Sequence, residues 1–221
     1  MATATMAMLA LTSAAQDDPE YKYEIGIGAG AMGYLGDYNG SLANDMQLGA
    51  SIVGRYNINP WMALRLNMGF GKLKGTSRDV ETWYPQNDND TYSFNNNLYD
   101  LSMEYEYNFL PFGTGRDYRG AKRLTPFVYA GLGMAICQTT QKTQTAMTLP
   151  IGIGVKYKVS EKMNLGLEWA VNFTTSDWLD GVKDPYGIKS SGMFKNTDAF
   201  HRLQLSLTYS FSPKCLNCNK E

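Results

Sequence analysis

Along residues 98–109, LYDLSMEYEYNF, apolar and polar side chains alternate without a break. Tyr99, Leu101, Met103, Tyr105, Tyr107 and Phe109 form one set, and Leu98, Asp100, Ser102, Glu104, Glu106 and Asn108 the other. A period of two sends the two sets to opposite faces of a strand, whereas a helix would scatter both. The same alternation recurs at 23–34, 46–58, 61–74, 124–138, 148–159, 163–175 and 202–211, so the pattern predicts eight amphipathic strands. Long polar connections are expected after the first, third, fifth and seventh strands, at 35–45, 75–93, 139–147 and 176–198. Asn59-Pro60 and residues 160–162 make tight turns. Only the glycine-rich connection 110–123, after the fourth strand, breaks this long-then-short order.

Periodicity alone does not say whether the apolar face meets a protein core or lipid. A soluble lipocalin-like barrel would turn that face inward. Two features favour lipid. If the amino terminus is periplasmic, odd strands run outward and even strands inward. Tyr23, Tyr56, Trp61, Tyr105, Tyr107, Phe109, Tyr157, Tyr209 and Phe211 then fall on one rim, as an interfacial aromatic girdle requires. The other face is charged and balanced, with Glu24, Asp100, Glu104, Glu106 and Glu168 against Arg55, Arg65, Lys156, Lys158 and Arg202. An eight-stranded barrel is just wide enough for its own side chains to fill it, so this set predicts a plug of paired charges rather than a pore. The expectation is therefore an all-β chain: an eight-stranded antiparallel up-and-down transmembrane β-barrel with a filled polar interior over residues 23–212.

Composition agrees with this reading without requiring it. A chain of 221 residues suits one barrel domain. The mean hydropathy of −0.34 is what cancelling alternate residues produce in a membrane barrel as well as in a soluble protein. Beyond the first residues no run of about 18 apolar residues exists, which excludes a helical span there. A net charge of −1 supplies no basic field to recruit nucleic acid. Residues 1–15 read as a signal peptide that ends in Ser13-Ala14-Ala15 and lacks a basic start. Residues 16–22 follow as a periplasmic lead, and 213–221 form a periplasmic tail. The expected location is the outer membrane of a Gram-negative cell with both termini periplasmic.

The motifs that carry chemistry elsewhere lack their context here. GxGxG at Gly26, Gly28 and Gly30 lies within a strand rather than between a strand and a helix, so it places small residues inside the barrel instead of cradling phosphate. His201 is expected outward at the outer rim, followed on its face by Leu203 and Leu205, with no nucleophile and orienting acid to complete a triad. Glu104 and Glu106 read as structural counter-ions, and Cys137, inside the fifth strand, as inert. Asn87-Asp88-Asn89-Asp90 lacks the glycine and terminal glutamate of a calcium loop. No catalytic residue, metal, cofactor or small-molecule substrate is expected. Cys215 and Cys218 form a CxxC in the tail: either a local disulfide, or a bond or metal site shared with a partner. Arg116, Arg119, Lys122 and Arg123 make the 110–123 turn basic, and it is the candidate contact with a partner.

Taken in order, EIGIGAGAMGYLGD, NPWMALRLNMGFGKLKG, NNLYDLSMEYEYNFLPFG, RLTPFVYAGLGM, LPIGIGVKYKVSEKMNLGLEW and DWLDGV resemble the PorG-like family of small outer-membrane barrels associated with the type IX secretion system. That resemblance implies a non-enzymatic component of a secretion machine. Its partners would be outer-membrane lipid and a periplasmic lipoprotein-containing ring. Two other readings stand beside it. One is a stand-alone structural or surface-adhesion barrel that uses Trp83, Tyr84 and Trp178 in its outer loops. The other is a lipid-modifying barrel enzyme centred on His201.

Overall fold

A strand with one apolar face is stable only when its edges are paired and that face is covered. In the computed structural model both conditions are met by closure. The structure describes residues 19–35, 45–76, 93–113, 121–138, 143–175 and 198–213. Its strands are β1 (Tyr21–Leu35), β2 (Gln47–Asn57), β3 (Met62–Thr76), β4 (Ser93–Asn108), β5 (Leu124–Gln138), β6 (Thr143–Lys158), β7 (Met163–Thr174) and β8 (Ala199–Pro213). Each pairs antiparallel with the next, and β1 pairs with β8 from Tyr21↔Pro213 to Leu35↔Ala199, closing the barrel. No helix occurs among the described residues.

The faces fall as the alternation requires. Along β4 burial alternates residue by residue through all sixteen positions, with Asp100, Glu104 and Glu106 inside and Tyr99, Met103, Tyr105 and Tyr107 outside. Over the middle of the strands the exposed set is the apolar one, for example Ile27, Leu132, Ile153 and Leu205, while the charges lie in the buried set. A continuous exposed band of this size is far beyond what a soluble monomer carries, and it identifies the medium around the barrel as lipid. The chain is a transmembrane β-barrel.

Tyr21 and Pro213 mark one end of the barrel, here the terminal end. Register brings the aromatic ring of residues together there: Tyr23 pairs with Tyr56 and Phe211, Met62 with Tyr107, Leu124 with Tyr157, and Met163 with Tyr209. Tyr23 stacks on Phe211 at 5.7 Å, and Tyr107 meets Phe109 edge-on at 5.8 Å. Trp61, expected with them, is half-buried in the β2–β3 turn. In that turn Asn59 Oδ1 accepts hydrogen bonds from the Trp61 and Met62 amides at 2.9 and 2.7 Å.

Two expectations are corrected. The connection after β5 is not a long loop over 139–147. Residues 143–147 pair with 134–138, from Gln138↔Thr143 to Met134↔Met147, leaving only 139–142 between the strands. Polar TQTA resembled a loop because a strand that rises past the lipid no longer needs apolar residues outside. The second concerns His201, which is buried rather than at an open rim, at 2% exposure. Its register partner is Gly33, where a Cβ would sit only 2.2 Å from His201 Nε2, so the imidazole occupies the space that a side chain on β1 would take.

The exposed band makes a direct prediction. Leu205 is 52% exposed at mid-strand on β8, opposite Ala29 and Leu167. Leu205→Arg is expected to destabilise the barrel by about 2–4 kcal/mol in equilibrium urea titrations with phospholipid vesicles, the cost of an arginine near the bilayer midplane. A change below about 0.5 kcal/mol, ordinary for a water-exposed site, would contradict a lipid-facing position.

Candidate functional site: the charged interior and the terminal end

The interior is assembled by register. Arg55 and Arg65 are direct cross-strand partners on β2 and β3, a like-charge pair that would repel if left alone. Each is instead held between two carboxylates. Arg55 donates from Nε to Glu106 at 2.9 Å and from Nη1 to Glu24 at 3.3 Å. Arg65 forms a two-pronged pair with Glu168 and lies 3.3 Å from Glu104, and its guanidinium covers the Tyr129 ring at 4.7 Å. Lys156 completes the first group at 2.6 Å from Glu106. Neutral groups add hydrogen bonds to these carboxylates. Asn57 and Thr208 donate to Glu24, Ser102 to Glu104, and Gln204 to Glu168 while accepting from Ser51. Nearer the other end Arg202 reaches Asp100 at 3.0 Å, and Asn67 donates to the same carboxylate at 3.1 Å.

Burial is what makes these pairs matter. All the ionised members named above are nearly or fully buried, so each would cost several kcal/mol if it lost its partners. A partly exposed pair such as Lys74–Asp45 has water to replace a lost partner and contributes less.

The interior is not polar throughout. Beyond Asp100, away from the terminal end, Met32, Tyr34, Leu73, Phe94, Leu98, Ala135, Cys137 and Phe200 pack into an apolar cluster. Tyr34 meets Phe94 edge-on at 5.1 Å and donates its hydroxyl to Asp198. The filled interior thus has a charged section and an apolar section. Met32, Leu98 and Cys137 on the inward phase were the sign of it in the sequence.

The terminal end is closed differently. Lys158 pairs with Glu20 at 3.0 Å and lies over the rings of Tyr21 at 4.9 Å and Phe112 at 5.7 Å; Phe112 also lies 4.6 Å from Lys156. Phe112 belongs to the β4–β5 connection, whose described part is tied to the barrel. The Phe112 amide donates to Pro60 at 3.1 Å, Gly113 to the Lys122 carbonyl at 3.1 Å, and the Lys122 amide to Pro111 at 2.7 Å. The cavity among Glu20, Glu24, Asn57, Phe112 and Lys158 measures about 20 Å³, room for roughly one water.

A family described as a domain of unknown function, DUF6089, matches residues 3–220, nearly the whole chain. The chain belongs to the DUF6089 family. No curated protein matches it. Among solved structures the barrel is similar to Neisserial surface protein A, NspA, with a TM-score of 0.52 and 17% identity over 86% of this chain and 97% of that one. It is also similar to the outer membrane protein OprG of Pseudomonas aeruginosa (TM-score 0.47, 9% identity, 89% and 98% covered) and to Ail, the attachment invasion locus protein of Yersinia pestis (TM-score 0.45, 11% identity, 87% and 100% covered). At these identities the likeness is one of fold.

In this DUF6089 chain the interior residues singled out from sequence are brought together as described, with Lys158 joining Glu20 rather than the central carboxylates. Glu20 and Phe112 were missed, because their roles depend on a lead and a turn folding under the barrel end, which no periodicity encodes. Of the basic turn, Lys122 and Arg123 are described and exposed. Arg116 and Arg119 lie outside the described residues, as do Asn87–Asp90, Trp83, Tyr84, Trp178, Cys215 and Cys218. No group of three or more metal-ligating side chains occurs among the described residues.

Arg65 carries the sharpest energetic expectation. Arg65→Met leaves Glu104 and Glu168 without their main cation and is expected to cost about 3–5 kcal/mol in urea titrations, with Arg65→Lys recovering part of the loss. A loss under about 1 kcal/mol for Arg65→Met would show that the carboxylates do not need it.

Proposed function

We propose that this protein is a non-enzymatic barrel of a Gram-negative outer membrane that anchors a periplasmic partner at its terminal end. The observation that carries this reading is the filling of the interior. Charge pairs occupy one section and an apolar cluster the other, so a partner in water is met at the ends of the barrel rather than in its lumen. At the terminal end the β4–β5 connection is longer than its neighbours 58–61 and 159–162, and its base is fastened by Pro60, Phe112 and Lys122. A fastened base holds Lys122 and Arg123 in one place, at lower entropic cost for a partner than a free chain would have. Chain termini and this connection would then face the periplasm, with the 77–92 and 176–197 connections outside the cell.

The resemblance to PorG-like barrels gives the partner its chemistry: a lipoprotein-containing ring of a type IX-like secretion machine. The surface-barrel reading fits the fold comparably and places binding in the opposite connections. The fastened turn favours the periplasmic reading. The His201 enzyme reading is the weakest, since the imidazole is packed over Gly33.

The test is recovery of the partner. Replacing Arg116, Arg119, Lys122 and Arg123 with serine is expected to leave a heat-modifiable, folded barrel and to lower co-purification of periplasmic protein from cross-linked outer membranes about tenfold, a loss of ~1.4 kcal/mol. Unchanged recovery would remove the turn as the contact, and absence of any periplasmic partner from the unaltered protein would sink the reading.

A further inference from the structure

The lipid face carries a concavity that the anchoring role does not use. A groove of about 460 Å³ crosses from β5 over β6 and β7 to β8, starting at Phe109 and Pro126 by the terminal rim. From there it passes Val128, Val155 and Ile153 to Trp169 and Leu203. Register makes these residues neighbours: Pro126 opposes Val155, Val128 opposes Ile153, and Ile153 opposes Trp169. The groove is an open depression with almost wholly apolar walls, suited to a flexible hydrocarbon chain lying along the surface.

Lys122 and Arg123, both exposed, immediately precede Leu124 at the start of β5, on the terminal side of Pro126. Their backbone is held in place: Lys122 is bonded on both sides by Pro111 and Gly113, and the Arg123 carbonyl accepts from the Lys158 amide at 2.7 Å. Leu124 beside them opposes Tyr157 of the aromatic ring, so the two cations sit at the level where lipid headgroups meet water. Arg123 precedes Pro126 by three strand positions, roughly 10 Å at ~3.4 Å per residue, a span suited to a phosphate below and a hydrocarbon chain above.

We propose that this is a binding site for an anionic glycerophospholipid, with one acyl chain in the groove and the headgroup phosphate between Lys122 and Arg123. Two adjacent cations favour a net negative headgroup over a zwitterionic one. The apolar walls need no specific chain, so selectivity resides in the headgroup. Placing that lipid in the periplasmic leaflet rests on the orientation proposed above.

Native mass spectrometry of the full chain in detergent, titrated with phosphatidylglycerol or phosphatidylethanolamine, tests the site. One phosphatidylglycerol is expected to bind about tenfold more tightly than phosphatidylethanolamine. Lys122→Ser with Arg123→Ser should make the two lipids equal, and Val155→Trp, which fills the groove, should weaken both about tenfold. Ile52→Trp, on the lipid face of β2 away from the groove, should change neither; heat-modifiable gel mobility verifies that every variant is folded. Equal binding of the two lipids by the unaltered protein, unchanged binding in Val155→Trp, a matching loss in Ile52→Trp, or a lipid-independent dimer that Val155→Trp disrupts would each overturn the proposal. Val155→Trp leaves the basic pair intact and should still recover the periplasmic partner, so failure of the lipid site and failure of the anchoring role are told apart.

Discussion

The β1–β8 ladder is the contact on which the rest of this protein depends. In hydrocarbon an edge strand leaves a row of amide and carbonyl groups with no water to bond, each costing several kcal/mol, so a membrane-spanning sheet must close. Closure here joins the first described strand to the last, and it places Glu24 beside Thr208, 184 positions away in the chain. Contacts such as Thr208 with Glu24 exist only because this long-range ladder forms.

Closure also inverts the usual economy of burial. With lipid taking the apolar set of every strand, the interior receives what remains, and that remainder includes two arginines in direct cross-strand contact. Such a pair is tolerable because carboxylates from β1, β4 and β7 enter between and around them. The network is best understood as a consequence of spanning a membrane with a narrow barrel. It fills the lumen and holds opposite walls together, and it leaves no room for a substrate beside Glu104 or Glu106.

The two ends are finished by different means, and this shapes the functional reading. Beyond Asp100 the lumen ends in an apolar cluster with Tyr34 and Phe94. At the terminal end, lysines 156 and 158 are covered by the rings of Tyr21 and Phe112, and Phe112 arrives from a connection outside the barrel. A cation over an aromatic face keeps favourable electrostatics while water is excluded. Through Phe112 the base of the basic connection is thereby tied to the charges of the lumen.

Strand number, strand faces and the membrane setting were legible because lipid outside and a narrow lumen inside impose a period of two that each strand carries locally. Glu24, Arg55, Arg65, Asp100, Glu104, Glu106, Lys156, Glu168 and Arg202 could be assigned to one interior by phase alone. Phase failed at the margins. Thr143–Met147 is strand because it finds a partner in Met134–Gln138, although its first three residues are polar; His201 is buried because its neighbour is Gly33. The sequence by itself determined which side of each strand a residue takes, since that depends on parity. Which carboxylate meets which cation, the recruitment of Glu20 and Phe112, and the groove leading to Lys122 and Arg123 were decided by the tertiary structure, because they depend on strand register and on chain returning beneath the barrel, and parity carries neither.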